Sequence, residues 1–110
     1  MVRRELLVVS AILSAALCVG SATANVLIGV AGPMTGKNAW FGEQIERGAE
    51  MAIADLNAAG GVLGEQIELI TVDDFCDPEQ ALAAAKKLVS EGVILVVGHF
   101  CSGASIPGAF

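Results

Sequence analysis

His99, Cys101 and Ser102 stand close together just after the apolar run Val93–Val97, and a second cysteine, Cys76, follows the adjacent carboxylates Asp73 and Asp74. These side-chain types suit several chemistries. A metal site would need Asp74, Cys76, His99 and Cys101 to converge on one ion, but no Cys-x-x-Cys pair of the usual ligand spacing is present. A nucleophile could come from Ser102, Ser105 or Cys101 with His99 as base. A triad is defined by geometry rather than by nearness in sequence, and the G-x-S-x-G elbow is missing. Phosphate binding fares no better. Gly29, Gly32 and Gly36 are mis-spaced for G-x-G-x-x-G, with Pro33 inside the loop, although Asp73 and Asp74 lie where a ribose-binding acid would. The segment from Gly32 to Asn38 is one residue short of a P-loop and ends in Asn38 where the P-loop has Ser or Thr.

Binding asks less of these residues than catalysis does. The turn Gly98–Gly103 ends a strand and opens a helix, so its N–H groups and the Ser102 hydroxyl can face one point, an arrangement suited to a carboxylate. Trp40 and Phe41 come from the first loop and can offer apolar surface at the same edge. Each has a plainer alternative. Ser102 can serve as a helix cap, Phe41 can pack beneath the helix it starts, and His99 can hydrogen-bond locally near the strand end. Trp40 lies off the apolar stripe and is expected to be exposed to a cleft.

The elements that must position these groups follow from periodicity. Val26–Ala31 is a short apolar run that reads as a first strand. From Phe41 to Ala59 the apolar positions 41, 45, 48, 49, 52, 53 and 56 have a helical period, and Gly60–Gly61 then frees the backbone to leave the helix. Glu65–Val72 alternates and predicts a second strand. Asp77 precedes Pro78 and stands three residues before Gln80, which predicts an N-cap, a proline at the first helical position and a capping-box partner. Ala81, Leu82, Ala85, Leu88 and Val89 should form that helix's inward face, Lys86 and Lys87 suit its C-terminal end, and Gly92 closes it. The run from Val93 is rich in β-branched residues and predicts a third strand buried on both faces. Strand–helix–strand–helix–strand calls for an α/β fold: a parallel sheet between flanking helices, with right-handed crossovers. Its strand ends would leave a crevice for ligand.

The 110-residue chain is 55% hydrophobic with a mean hydropathy of +0.69, and residues 1–24 skew both values. Arg3 and Arg4 precede an apolar stretch from Leu6 to Val19, and Ala22-Thr23-Ala24 supplies the small residues of a cleavage site. Residues 1–24 therefore read as a signal peptide cut after Ala24. The apolar stretch is too short to span a bilayer, and Leu17 before Cys18 is too large for a lipobox. Residues 25–110 then read as a partial N-terminal lobe, incomplete at its C-terminus, small in core and marginal in stability. In this part Lys37, Arg47, Lys86 and Lys87 face eleven of the twelve acidic residues, a balance of −7 that disfavours nucleic acid and anionic membrane as partners. In an oxidising exported compartment Cys76 and Cys101 read first as a disulfide. The loop closed, about 26 residues, would be worth roughly 3 to 4 kcal/mol by chain entropy.

Taken together, the stretch IGVAGPMTGKNAWFGEQIERGAEMAIADLNAAGGVLGEQIELITVDDFCDPEQALAAAKKLVSEGVILVVGHFCSGASIPG, with its D-D-x-C-D-P and G-H-x-C-S segments, resembles the opening of branched-chain amino acid ABC transporter substrate-binding proteins of the Leu/Ile/Val type. That resemblance implies a type I periplasmic binding protein, with two α/β lobes that close on a ligand between them. It implies that Cys76 and Cys101 are paired, that Ser102 beside Gly103 meets the ligand carboxylate, and that Phe41, where the family often has Tyr, lines the pocket with Trp40 near it. It further implies a periplasmic protein without a cofactor, partnered by an amino acid and by a membrane permease, and not an enzyme. A sensory receptor domain of the same fold, or an exported hydrolase using Ser102 or Cys101, is the alternative.

Overall fold

The computed structural model describes residues 25–109, so the expected signal peptide and its cleavage after Ala24 lie outside the described residues. The elements run β1 (Val26–Gly32), α1 (Ala39–Ala58), β2 (Ile67–Asp73), α2 (Pro78–Ser90), β3 (Leu95–Gly98) and α3 (Ser102–Gly108), with a 3-10 turn at Gly36–Asn38 leading into α1. The three strands form one parallel sheet in the order β2-β1-β3.

That order explains the layering. The chain crosses from β1 to β2 on one side, then jumps back past β1 to β3, and right-handed crossovers in opposite directions put their helices on opposite faces. Side chains alternate along β1, and the alternation reports the two faces. A Cβ on Gly29 would meet Leu88 of α2, whereas one on Gly32 would meet Ile45 of α1. The expected sandwich of sheet and flanking helices is therefore what the chain forms.

The core lies on the α2 face. Ala31, Val72, Ala84 and Leu88 are buried together, with Ile70 and Val93 packed against them. Two of the expected inward residues of α2 are corrected here. Leu82 and Val89 are 36% and 75% exposed, and Ala84 takes the inward position with Ala81 and Leu88. Ala81, Ala84 and Leu88 recur at helical spacing and set the buried stripe, and Leu82 and Val89, each one residue on from a buried position, point away from it. The third strand is corrected as well. Leu95, Val96 and Val97 are exposed rather than buried on both faces, because β3 is an edge strand and, among the described residues, the helices cover its two faces only thinly. On α1 the contact line is equally thin: Gly42 is buried and Ile45, Ala49 and Ile53 are half-buried.

The helix start at Asp77 is built largely as its sequence predicts. Asp77 Oδ1 accepts from the N–H groups of Glu79 and Gln80 at 3.0 and 2.9 Å, with Pro78 at the first helical position. The other half of the capping box does not form, since the Asp77 N–H donates to the Asp74 carbonyl at 2.9 Å. At the far end of α1, Asn57 acts as a stand-in for a strand. Its amide donates to the Ile67 carbonyl and accepts from the Ile67 N–H, both at 2.8 Å, and so fixes where β2 begins.

Candidate functional site

Three parallel strands end at one edge of the sheet, and the loops that leave them carry the polar and aromatic groups of interest. After β1 the chain turns through Pro33–Asn38, and Asp73 at the end of β2 holds that turn. Its Oδ1 accepts from the N–H groups of Met34 and Phe75, both at 2.9 Å, and its Oδ2 accepts from the Thr35 hydroxyl at 2.6 Å. Burial pushes the Asp73 carboxyl toward its neutral form. The hydrogen bonds from Thr35, Phe75 and Met34 outweigh that and hold its pKa below the usual aspartate value. These bonds also bear on phosphate chemistry. Donors that a P-loop would turn toward a phosphate are here given to an internal anion.

The turn delivers α1 with Trp40 64% and Phe41 41% exposed. Phe41 is not core packing: its ring stacks on that of Phe100, with centroids 4.0 Å apart and planes 8° from parallel. Phe100, not among the residues selected from the sequence, thus belongs to the same aromatic wall. Its only signal was an aromatic placed between His99 and Cys101 in a strand-end turn.

Beyond β2, Phe75 and Cys76 both take positive φ, near +53°, which is unfavourable for residues other than glycine. Side chains of the two preceding aspartates hold them there, Asp73 through the Phe75 N–H and Asp74 through the Cys76 N–H at 2.8 Å. Cys76 is then bonded to Cys101, with their Cα atoms 5.3 Å apart, and Asn38 directs its amide at both sulfurs, 3.4 and 3.8 Å away. Beyond β3, Gly98 has φ +143°, and a Cβ there would run into the Ala31 carbonyl oxygen. His99 Nδ1 lies 2.5 Å from Asp74 Oδ2.

The four residues weighed as metal ligands do come together, though as a disulfide and a hydrogen-bonded pair. Among the described residues no group of three such side chains is arranged to hold an ion. The disulfide also removes the Cys101 thiol as a nucleophile. Ser102 is the first residue of α3 and is exposed, as is Gly103; Cys101 occupies the N-cap position, so Ser102 is not the cap. Its N–H and that of Gly103 belong to the first turn, where a helix offers no partner. Ser105 is turned inward and donates to the Cys101 carbonyl at 3.3 Å. Trp40, Phe41, Ser102 and Gly103 are therefore all carried on the strand-tip edge. Phe41 reaches the turn that holds Ser102 through its stack on Phe100.

The sequence profile of the family described as Periplasmic binding protein matches residues 25–107. The chain belongs to the periplasmic binding protein family. An amino acid binding protein of Pseudomonas aeruginosa is 57% identical over 89 residues, 80% of this chain and 24% of that one. A Leu/Ile/Val-binding protein homolog of Brucella abortus is 52% identical over 88 residues, with 80% and 24% covered. Among solved structures, a branched-chain amino acid transporter substrate binding protein from Streptococcus pneumoniae in complex with isoleucine superposes with a TM-score of 0.73. It is 32% identical, over 77% of this chain and 25% of that chain. The chain thus spans about a quarter of the length of the curated relatives it matches. Periplasmic binding proteins bind solutes and are not a class of enzymes, and this chain carries the α/β sheet and the strand-tip edge of that fold.

Proposed function

We propose that this periplasmic binding protein is the exported solute-binding component of an ABC importer for branched-chain or related amino acids, holding its ligand at the strand-tip edge. The Ser102 hydroxyl and the N–H groups around Gly103 donate to the ligand carboxylate, while Phe41, with Trp40 nearby, faces its side chain. The observation that carries this assignment is the meeting of an aromatic wall and an uncapped polar turn at one edge, joined by the Phe41–Phe100 stack. An apolar wall beside a group of hydrogen-bond donors is the usual composition of a small-molecule site. The relatives named for amino acids, and the structure holding isoleucine, support the ligand class. Phe41 offers no hydroxyl, so its contribution to the ligand is shape and apolar surface.

In the full-length protein a second lobe would supply the opposite wall, hinge closure would trap the ligand, and a membrane permease would receive it. No chemical step is assigned to the site. Calorimetry on the full-length protein with leucine, isoleucine and valine tests the assignment. Ser102→Ala should weaken binding by about 1 to 3 kcal/mol, the cost of leaving a charged partner short of a hydrogen bond. Unchanged affinity would remove Ser102 from the site, and consumption of the amino acid during the titration would replace binding by turnover.

A further inference from the structure

Asp74 and His99 are the most deeply buried titratable groups near the edge, with side chains 0% and 9% exposed, and the binding site described above uses neither directly. They join two strands that are not neighbours. In the sheet β1 lies between β2 and β3, so the bond from Asp74 to His99 crosses the gap beyond the last residue of β1. Two residues further along, the disulfide crosses the same gap in the same register, each link joining residues 25 apart. One link fixes the position of a turn and leaves it free to swivel. Two links fix its orientation too.

Orientation is what the ligand would feel. Phe100 stands between the two linked residues and Ser102 directly follows them, so a swivel about Cys101 would turn the hydroxyl and break the Phe41–Phe100 stack. Asp74 is well placed to resist it. Its Oδ1 accepts from Cys76, its N–H donates to the Gly32 carbonyl at 2.9 Å, and its own carbonyl accepts from Asp77 at 2.9 Å. One residue thus fastens the ends of β1 and β2 and the start of α2. The imidazole is held from its other side as well: a Cβ on Gly108 would come within 2.6 Å of His99 Nε2, so the ring rests directly against α3.

We infer that Asp74 and His99 are positioning residues for ligand binding, acting through the turn that carries Phe100 and Ser102. This rests on the binding site proposed above. The test uses the full-length protein and two readouts. Hydrogen exchange of the peptide spanning residues 99–105 is measured without ligand, and affinity for leucine, isoleucine and valine is measured by calorimetry. His99→Ala should speed exchange in that peptide and weaken binding on the order of tenfold or more, with the disulfide intact by thiol titration. Imidazole added to His99→Gly should recover part of the affinity. If alanine fails to fold, Asp74→Asn keeps the shape and an acceptor for the Cys76 N–H. With the introduced amide donating to Nδ1, the ring proton of neutral His99 should move from Nδ1 to Nε2, visible by nitrogen NMR. Unchanged exchange in the folded variants would overturn the inference, as would wild-type affinity despite faster exchange. A wild-type protein that binds none of these amino acids would sink the ligand assignment instead, while the exchange measurement would still decide whether the pair holds the turn.

Discussion

Asp73 shows how a single carboxylate can set the shape of two loops at once. It gathers Met34, Thr35 and Phe75, and those hydrogen bonds hold its pKa below the ordinary aspartate value. A depressed aspartate stabilises the folded state above its unfolded pKa, about 3.9, and that contribution is lost as pH falls through the folded value. Wild type should therefore be more stable than Asp73→Asn at neutral pH, and the gap should close as the solution is taken below about pH 4. Urea denaturation of both proteins at several pH values measures it, and a gap independent of pH would mean that Asp73 acts through shape alone. Gly98 works at the same scale by having no side chain. With φ at +143° and the Ala31 carbonyl where a Cβ would go, Gly98→Ala should disturb the β3 tip and the turn after it.

Among the elements, α2 was the most legible in the sequence, because its start is encoded by local chemistry. Asp77, Pro78 and the following N–H groups need no partner from elsewhere in the chain. Asp77→Ala should cost about 0.5 to 2 kcal/mol, read as a shift in denaturation midpoint, and Asp77→Asn should restore most of it. Equal stability of the alanine variant and wild type would show that water satisfies the helix start equally well. The strands and their parallel pairing were also legible, since short β-branched runs separated by helical periods leave few other topologies. What was not legible depends on distant partners. The Asn57 amide serves Ile67, Phe100 stacks on Phe41, and Asp74 meets His99, all pairings that chain order alone does not announce. Exposure failed for a related reason. Apolar content marks Leu95–Val97 as a strand, but burial depends on what packs over its faces, and among the described residues little covers β3.

At the scale of the whole fold, the core formed by residues 25–109 is small. Among the described residues the buried hydrophobic ones are Val30, Ala31, Ile67, Val72, Ala81, Ala84, Leu88 and Ala104, so alanine supplies half of a core in which larger side chains would bury far more surface. Small cores leave stability dependent on other devices. The Cys76–Cys101 bond is the strongest such device here, because it joins strands that the sheet does not pair and closes a loop whose ends are 25 residues apart. By loop entropy it should contribute roughly 3 to 4 kcal/mol, more than the Asp77 cap. Reduction should therefore lower the urea midpoint of the full-length protein clearly, and a Cys76→Ser, Cys101→Ser double variant should match the reduced wild type. The variant should also bind amino acid more weakly where it remains folded, because the same bond is one of the two links that orient Ser102. A midpoint unmoved by reductant would mean that the bond adds nothing to the stability of the full-length fold.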